Sequence, residues 1–198
     1  MLIGFTGAQC TGKTTLLKRC KEELMDWSFV DEVTRKVQRM GHTINEQGND
    51  LTQLFILNEH LRNHTRDTSV DSLMLDRCIL DGYIYTKWLG HAGHVSSWLT
   101  EYACNLMALL ADRLDVIFYT QPEDVPLVND NVRSVNAKFR QDIIEMYEDL
   151  FACDFHWMNH VVRLGGTVDD RMETILNTIN EKKQIRQQQD KQTSGANI

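Results

Sequence analysis

The chain has 198 residues, 42% apolar and 25% charged, with a formal net charge of −7. These values fit one globular domain and exclude a largely disordered, collagen-like or coiled-coil chain. The acidic balance argues against a dedicated grip on duplex DNA, although a local basic groove stays compatible with it.

In chain order, the first pattern is strand, turn, helix. Leu2 to Thr6 is a short apolar run suited to a buried strand, and Gly7 to Thr14 follows as a glycine-bounded loop. Leu16, Leu17, Cys20 and Leu24 then recur at helical spacing. Nothing basic precedes the first apolar run, so a signal peptide is not expected. Ser28 to Val30 reads as a second strand ending in Asp31-Glu32, and a polar helix continues to about Met40, where Gly41 stops it. After a loop over 41–49, Asp50 and Gln53 form a capping pair for a helix to about His64. Its stripe is Leu51, Leu54, Phe55 and Leu61.

Val70 to Asp76 predicts the third strand. Helices are expected over Ile79–Leu89 and Val95–Ala111, broken near Gly90 and Gly93. The apolar run ending the second helix, Met107 to Ala111, is far too short for a membrane span. Val116 to Tyr119 is a fourth strand, and the only prolines, Pro122 and Pro126, mark a loop behind it. Phe139, Ile143, Tyr147, Leu150 and Phe151 define an amphipathic helix, and Val161 to Leu164 a fifth strand. Thr167 with Asp170 caps a last helix carrying Met172, Ile175, Leu176 and Ile179. From about Lys182 the chain is Gln-rich and polar, a frayed helix or tail. Strands alternating with helices imply an α/β fold with a mostly parallel sheet and right-handed crossovers. The expected division is one domain over 1–181 and a polar tail over 182–198.

Residues 7–14 match G-x-x-x-x-G-K-S/T, the phosphate-binding P-loop, in its required setting between strand and helix. Loop amides point inward to cradle phosphate oxygens, and the following helix aims its positive end at the same anion. The candidate nucleotide-binding residues are Gly7, Ala8, Gln9, Cys10, Thr11, Gly12, Lys13, Thr14 and Thr15. Lys13 can reach the β- and γ-phosphates of ATP, and Thr14 can ligate Mg²⁺. Cys10 reads as a small filler. Leu73 to Asp76 is an apolar strand ending in a carboxylate, the form expected of a second Mg²⁺-holding element, and Arg77 next to it can grip a phosphate or carboxylate. Asp31 and Glu32 stand at a strand end, where a carboxylate can accept a proton from an attacking hydroxyl; Glu32 is preferred. Arg35 can bind acceptor phosphate or pair with Glu32. Arg133, Lys138 and Arg140 could close over a triphosphate, with Arg133 the foremost candidate.

Phe55, Tyr83, Tyr85 and Trp88 could stack on an acceptor base, but core packing is the better reading for each. Cys153, His156 and His160 have zinc-like spacing but no evident fourth ligand, so a polar loop before a strand is preferred. Five cysteines with no C-x-x-C suggest a reducing, cytoplasmic setting. No Asn-Lys-x-Asp is present to read guanine.

The chain resembles P-loop kinases of nucleosides and nucleotides, the group around thymidylate kinases. It is also similar to kinase-like ATPase domains of phages and to nicotinamide-riboside kinases. The matching pieces are GAQCTGKTT at 7–15, DEVTR at 31–35, LDR at 75–77, DNVRSVNAKFR at 130–140, and the final strand-Gly-helix from His160. The resemblance implies a three-layer sandwich: a five-stranded parallel sheet in the order 2-3-1-4-5 with helices on both faces. It also implies an acceptor-binding region around 41–65 and a lid around 122–140. By the same analogy Glu32 faces the acceptor hydroxyl, Asp76-Arg77 stands beside acceptor phosphate, and Arg133 is the lid arginine. Thymidylate kinases have Arg-Glu-Pro where this chain has Asp-Glu-Val, and Tyr or Ser where it has Cys78. The acceptor therefore stays open among a nucleoside, a nucleotide, nicotinamide riboside and the hydroxymethyl group of 5-hydroxymethyluracil in DNA. DNA is a partner only in the last case, and a phage origin would put the protein in host cytoplasm. A P-loop ATP-binding switch without a kinase acceptor is the alternative from another class.

Overall fold

The computed structural model describes residues 1–68, 72–122 and 136–195. Five strands alternate with helices along the chain: β1 (Leu2–Thr6), α1 (Lys13–Glu23), β2 (Ser28–Val30), α2 (Val33–Arg39), α3 (Asp50–His64), β3 (Leu73–Leu75) and α4 (Ile79–His91). There follow α5 (Ser97–Ala111), β4 (Val116–Thr120), α6 (Ala137–Phe151), β5 (Val161–Leu164) and α7 (Val168–Gly195). All strand pairings are parallel, in the order β2-β3-β1-β4-β5 implied by the resemblance.

The strands are apolar on both sides because helices cover both faces of the sheet. Side chains alternate across it with period two. Ile3, Phe5, Val116 and Phe118 pack with Leu16 and Leu17 of α1 and Ile175 and Ile179 of α7. Leu2, Leu75, Ile117 and Tyr119 turn the other way, toward Ile84 of α4, Leu99 of α5 and Ile143 of α6. Among the described residues, no helix is long and apolar enough to cross a membrane.

α3 departs from its sequence pattern. Leu51 is 53% exposed, whereas Thr52, Gln53, Ile56, Leu57, His60, Asn63 and His64 form the buried face. Leu54, Phe55 and Leu61 are only half-buried. The apolar stripe was therefore a poor guide. α3 packs against α2, α4 and α5, and its polar groups have work inside: Gln53 accepts from Thr86, and His64 Nε2 accepts the Ile79 N–H at the start of α4. The cap also differs from the Asp50–Gln53 expectation. Asn49 accepts the Thr52 N–H, and Asp50 instead binds Ser96 before α5. At the far end, the polar segment after Lys182 continues α7 as helix. Val70, placed in the third strand by sequence, lies outside the described residues.

Gly4 of β1 sits where a Cβ would be 2.6 Å from Cys78 Cβ and 3.4 Å from Leu114 Cδ2. This is a packing limit, since the neighbours are themselves buried. Gly4→Ala is expected to lower stability by ~1–3 kcal/mol, seen as a fall of several degrees in Tm. An unchanged Tm would show that α4 shifts away freely.

Candidate active site

The loop between β1 and α1 adopts backbone angles that follow its glycines. Gly7 has φ 133° and Gly12, the residue before α1, has φ 89°. A side chain at Gly7 would also lie 2.8 Å from Thr120 Oγ1. Cys10 is buried at φ 57°. Thr11 fastens the loop, donating to Ala8 O at 2.9 Å and lying 2.6 Å from Thr120 Oγ1. Lys13 folds back over the loop: Nζ donates to Gly7 O and Ala8 O, both at 2.6 Å. Burial, with help from the Arg77 charge, pushes the Lys13 ammonium down to about 7. Gln9 is buried and Thr15 exposed.

Carboxylates and cations gather beside this loop at the carboxyl ends of β2 and β3. Thr14 Oγ1 donates to Asp76 Oδ2 at 3.2 Å. Burial, then the charge of Glu32, raises the Asp76 pKa. Arg77 is buried between two acids, donating through Nε to Glu32 Oε1 and through Nη1 to Asp81 Oδ1, both at 2.7 Å. Glu32 also accepts from Thr34 Oγ1 at 2.7 Å and Arg35 Nε at 3.1 Å. Asp31 points elsewhere. Its side chain is 78% exposed and pairs with Lys21.

Sequence reading missed Asp81. It accepts from Thr6 Oγ1 at 2.8 Å and from the Cys78 N–H, so it caps α4 while holding Arg77. Its spacing of four from Arg77 on a helix start was the available signal. Arg171 was missed as well. It is buried behind the loop and donates from Nη1 to Thr11 O at 2.9 Å. Nothing local marks an Arg in the first turns of α7 for that role.

A small cleft lies beside the charge cluster, lined by Thr34, Asn45, Gln53, His60, Arg77, Asp81 and Tyr85 among others. Tyr85 joins it to the loop, since its hydroxyl donates to Gln9 Oε1 at 3.0 Å. Burial pushes the Tyr85 phenol up to about 12, which keeps that proton in place. The other aromatics lie elsewhere. Phe55 packs on His42, Tyr83 lines a groove toward α5, and Trp88 packs on Phe139. Arg140 donates to Pro122 O, and Lys138 pairs with Asp142. Arg133 and most of 122–140 lie outside the described residues. Cys153 donates to Asp149 O and His156 pairs weakly with Asp112 in front of β5. Among the described residues, no three His, Cys, Asp or Glu side chains converge as a metal site would require.

Residues 2–171 match the sequence profile of a family described as an AAA domain. Sequence comparison with curated proteins gives no match. Among solved structures, NadR protein in complex with NR superposes with a TM-score of 0.70 at 17% identity. That alignment covers 91% of this chain and 50% of the NadR chain, so the chain spans about half the length of that protein. Deoxyadenosine kinase from M. mycoides, with dCMP and dCDP bound, gives 0.65 at 16% identity, covering 91% and 99% of the two chains. Thymidylate kinase from Candida albicans gives 0.62 at 13% identity, covering 92% of each. At these identities the likeness is one of fold.

The buried histidines of α3 carry a pH dependence. Burial pushes His64 down to about 4, and burial together with the His64 and Arg77 charges lowers His60 well below its ordinary value. Between pH 6.5 and 4 the unfolded chain therefore binds more protons than the folded one, and acid favours unfolding. Stability is expected to fall by roughly 2 kcal/mol or more between pH 7 and 4.5. His64→Gln keeps an acceptor for the Ile79 N–H and should flatten this slope in denaturant titrations. An identical slope in the variant would assign the effect to other groups.

Proposed function

The chain belongs to this AAA-domain family, and from that premise we propose that it is an ATP-dependent kinase that phosphorylates a hydroxyl of a nucleoside or nucleoside-like acceptor. The observation that carries the reading is the Glu32–Arg77–Asp81 cluster beside the phosphate-binding loop, whose Arg77 and Asp81 line a polar cleft. A nucleotide switch needs the loop and a metal-holding acid, but not a buried arginine held by two acids in the wall of a second cleft.

ATP is assigned to the loop, with its phosphates on the inward amides from Gly7 to Thr15 and on Lys13. Lys13 must leave the Gly7 and Ala8 carbonyls to do this, and the arriving anion favours its charged form. Thr14 and Asp76 supply only oxygen donors, 3.2 Å apart, which suits a hard cation such as Mg²⁺. When bound, that ion neutralises charge on the β- and γ-phosphates.

The acceptor hydroxyl is placed against Glu32. As its oxygen bonds to the γ-phosphorus, the bond from that phosphorus to the β–γ bridging oxygen breaks, ADP leaves, and the hydroxyl proton passes to Glu32. Arg77 holds Glu32 in position and is itself engaged by two acids. That engagement favours an uncharged hydroxyl over an acceptor phosphate, for which Arg77 would have to abandon a buried partner. Asp31, turned to solvent, has no role here. Residues 41–65 are assigned to the acceptor and 122–140, with Arg133, to the lid. The reaction unit is taken as 1–181, with 182–198 dispensable.

Two measurements test this. Labelled ATP is offered with nucleosides, nucleoside monophosphates, nicotinamide riboside and DNA containing 5-hydroxymethyluracil. Turnover should rise sharply with one hydroxyl acceptor, and slow hydrolysis indifferent to all of them would favour the switch. On that acceptor Glu32→Gln, which can still accept from Arg77, should lose ~10²–10⁴-fold in kcat. Full activity would remove Glu32 as the base. Lys13→Ala should lose on the order of 10²-fold or more.

A further inference from the structure

Arg171 lies in α7, close to the helix start, and is 2% exposed. Its guanidinium reaches three backbone carbonyls on three segments: Gly166 O at 3.0 Å from Nε, Thr11 O at 2.9 Å from Nη1 and Gln121 O at 3.3 Å from Nη2. These segments are the turn after β5, the phosphate-binding loop after β1 and the exit from β4. All three lie at the carboxyl edge of the parallel sheet, where ligands bind in such folds. A buried cation is tolerated only when its donors are satisfied, and the planar fork of Arg suits three carbonyls at fixed spacing where a Lys ammonium would not.

The Thr11 carbonyl belongs to the peptide unit that carries the Gly12 N–H, immediately before α1. In a loop whose N–H groups face an anion, the carbonyls face away from it. A charge-assisted hydrogen bond on such a carbonyl polarises the peptide, so that its N–H becomes a stronger donor. It also fixes the peptide plane, so the loop is not free to turn an oxygen toward the ligand.

We propose that Arg171 is a positioning residue for polyphosphate binding: from behind the loop it locks and polarises the Thr11–Gly12 peptide and ties it to the exits of β4 and β5. The inference rests on the reading of the loop as a triphosphate site and adds to it a residue remote in sequence. Arg171 need not touch the nucleotide. Its ligand class is the phosphate chain of a nucleoside triphosphate, or inorganic tripolyphosphate as its minimal form.

The test uses the full chain and tripolyphosphate, so no acceptor has to be known. Arg171→Met is expected to weaken tripolyphosphate binding in calorimetry on the order of 10-fold. In amide NMR spectra of the bound protein, the Gly12 N–H should move upfield, with strand amides of β2 and β3 unmoved. Wild-type affinity in the folded variant overturns the proposal, as does a loss accompanied by shifts throughout the sheet, the mark of a merely structural role. If Arg171→Met does not fold, Arg171→Lys decides. It keeps the charge but cannot span three carbonyls, so a smaller loss with the same Gly12 shift supports the proposal and unchanged affinity overturns it. Lys13→Ala is the control. If it too binds tripolyphosphate normally, the triphosphate reading of the loop fails; if it alone loses affinity, only the role of Arg171 fails.

Discussion

The molecule is organised around one buried cation. Arg77 enters the interior at the end of β3, and a guanidinium there must be matched by acids or by backbone acceptors. Glu32 comes from the end of β2 and Asp81 from the first turn of α4, each at 2.7 Å. Removing Arg77 strips the buried Asp81 of its ion pair, at a cost of about 3–5 kcal/mol in comparable cases. The same three residues therefore fix how β2, β3 and α4 meet. Arg77 and Asp81 also line the cleft, so stability and site geometry are held by the same contacts.

Sheet order determines where that cluster can act. The chain begins at β1, crosses to β2 on one side, returns to β3 between them, and only then moves to β4 and β5. The reversal lies between β1 and β3, and connections leaving in opposite directions open a crevice there. The phosphate-binding loop follows β1 and the Asp76–Arg77 pair follows β3, so the two meet at that crevice without any special device. Thr14 and Asp76 touch across it. Tyr85 and Gln9 make a second bridge, from α4 to the loop, and so join the cleft wall to the residues that face phosphate.

α3 shows how far a site can override ordinary patterning. A helix normally buries its apolar stripe. Here Gln53, His60, Asn63 and His64 go inside. The imidazole of His64 takes the Ile79 N–H, one of the amides that a helix start leaves without an internal partner, and donates from Nδ1 to His60 O. Accepting at Nε2 requires a neutral ring, which agrees with its depressed pKa. Among the described residues, His60 Nδ1, in the wall of the cleft, has no hydrogen-bond partner. A polar interior of this kind lowers the apolar gain from burying α3 in exchange for a wall that can hydrogen-bond.

Determinants set by neighbours in the chain were readable from the sequence. Gly7, Gly12, Lys13 and Thr14 define a local backbone geometry, and alternating strands and helices restrict the topology to a few parallel arrangements. Asp76 and Arg77 were readable because the loop motif implies an acid at a strand end. The capping pair Thr167 and Asp170 spans only three residues, and the two form reciprocal hydrogen bonds in the structure. What needed the tertiary structure was every choice made over long separation. Asp31 and Glu32 are adjacent acids of similar chemistry, and only the position of Arg77, 45 residues later, turns one inward and leaves the other with Lys21. Arg171 meets Thr11 across 160 residues, a contact with no local signature. Periodicity could not orient α3 because the burial of Gln53 and His64 depends on Thr86 and on the Ile79 amide. Backbone propensity and motif geometry act over a few residues, whereas matching a buried charge or a buried hydrogen-bonding group depends on whatever the fold brings beside it.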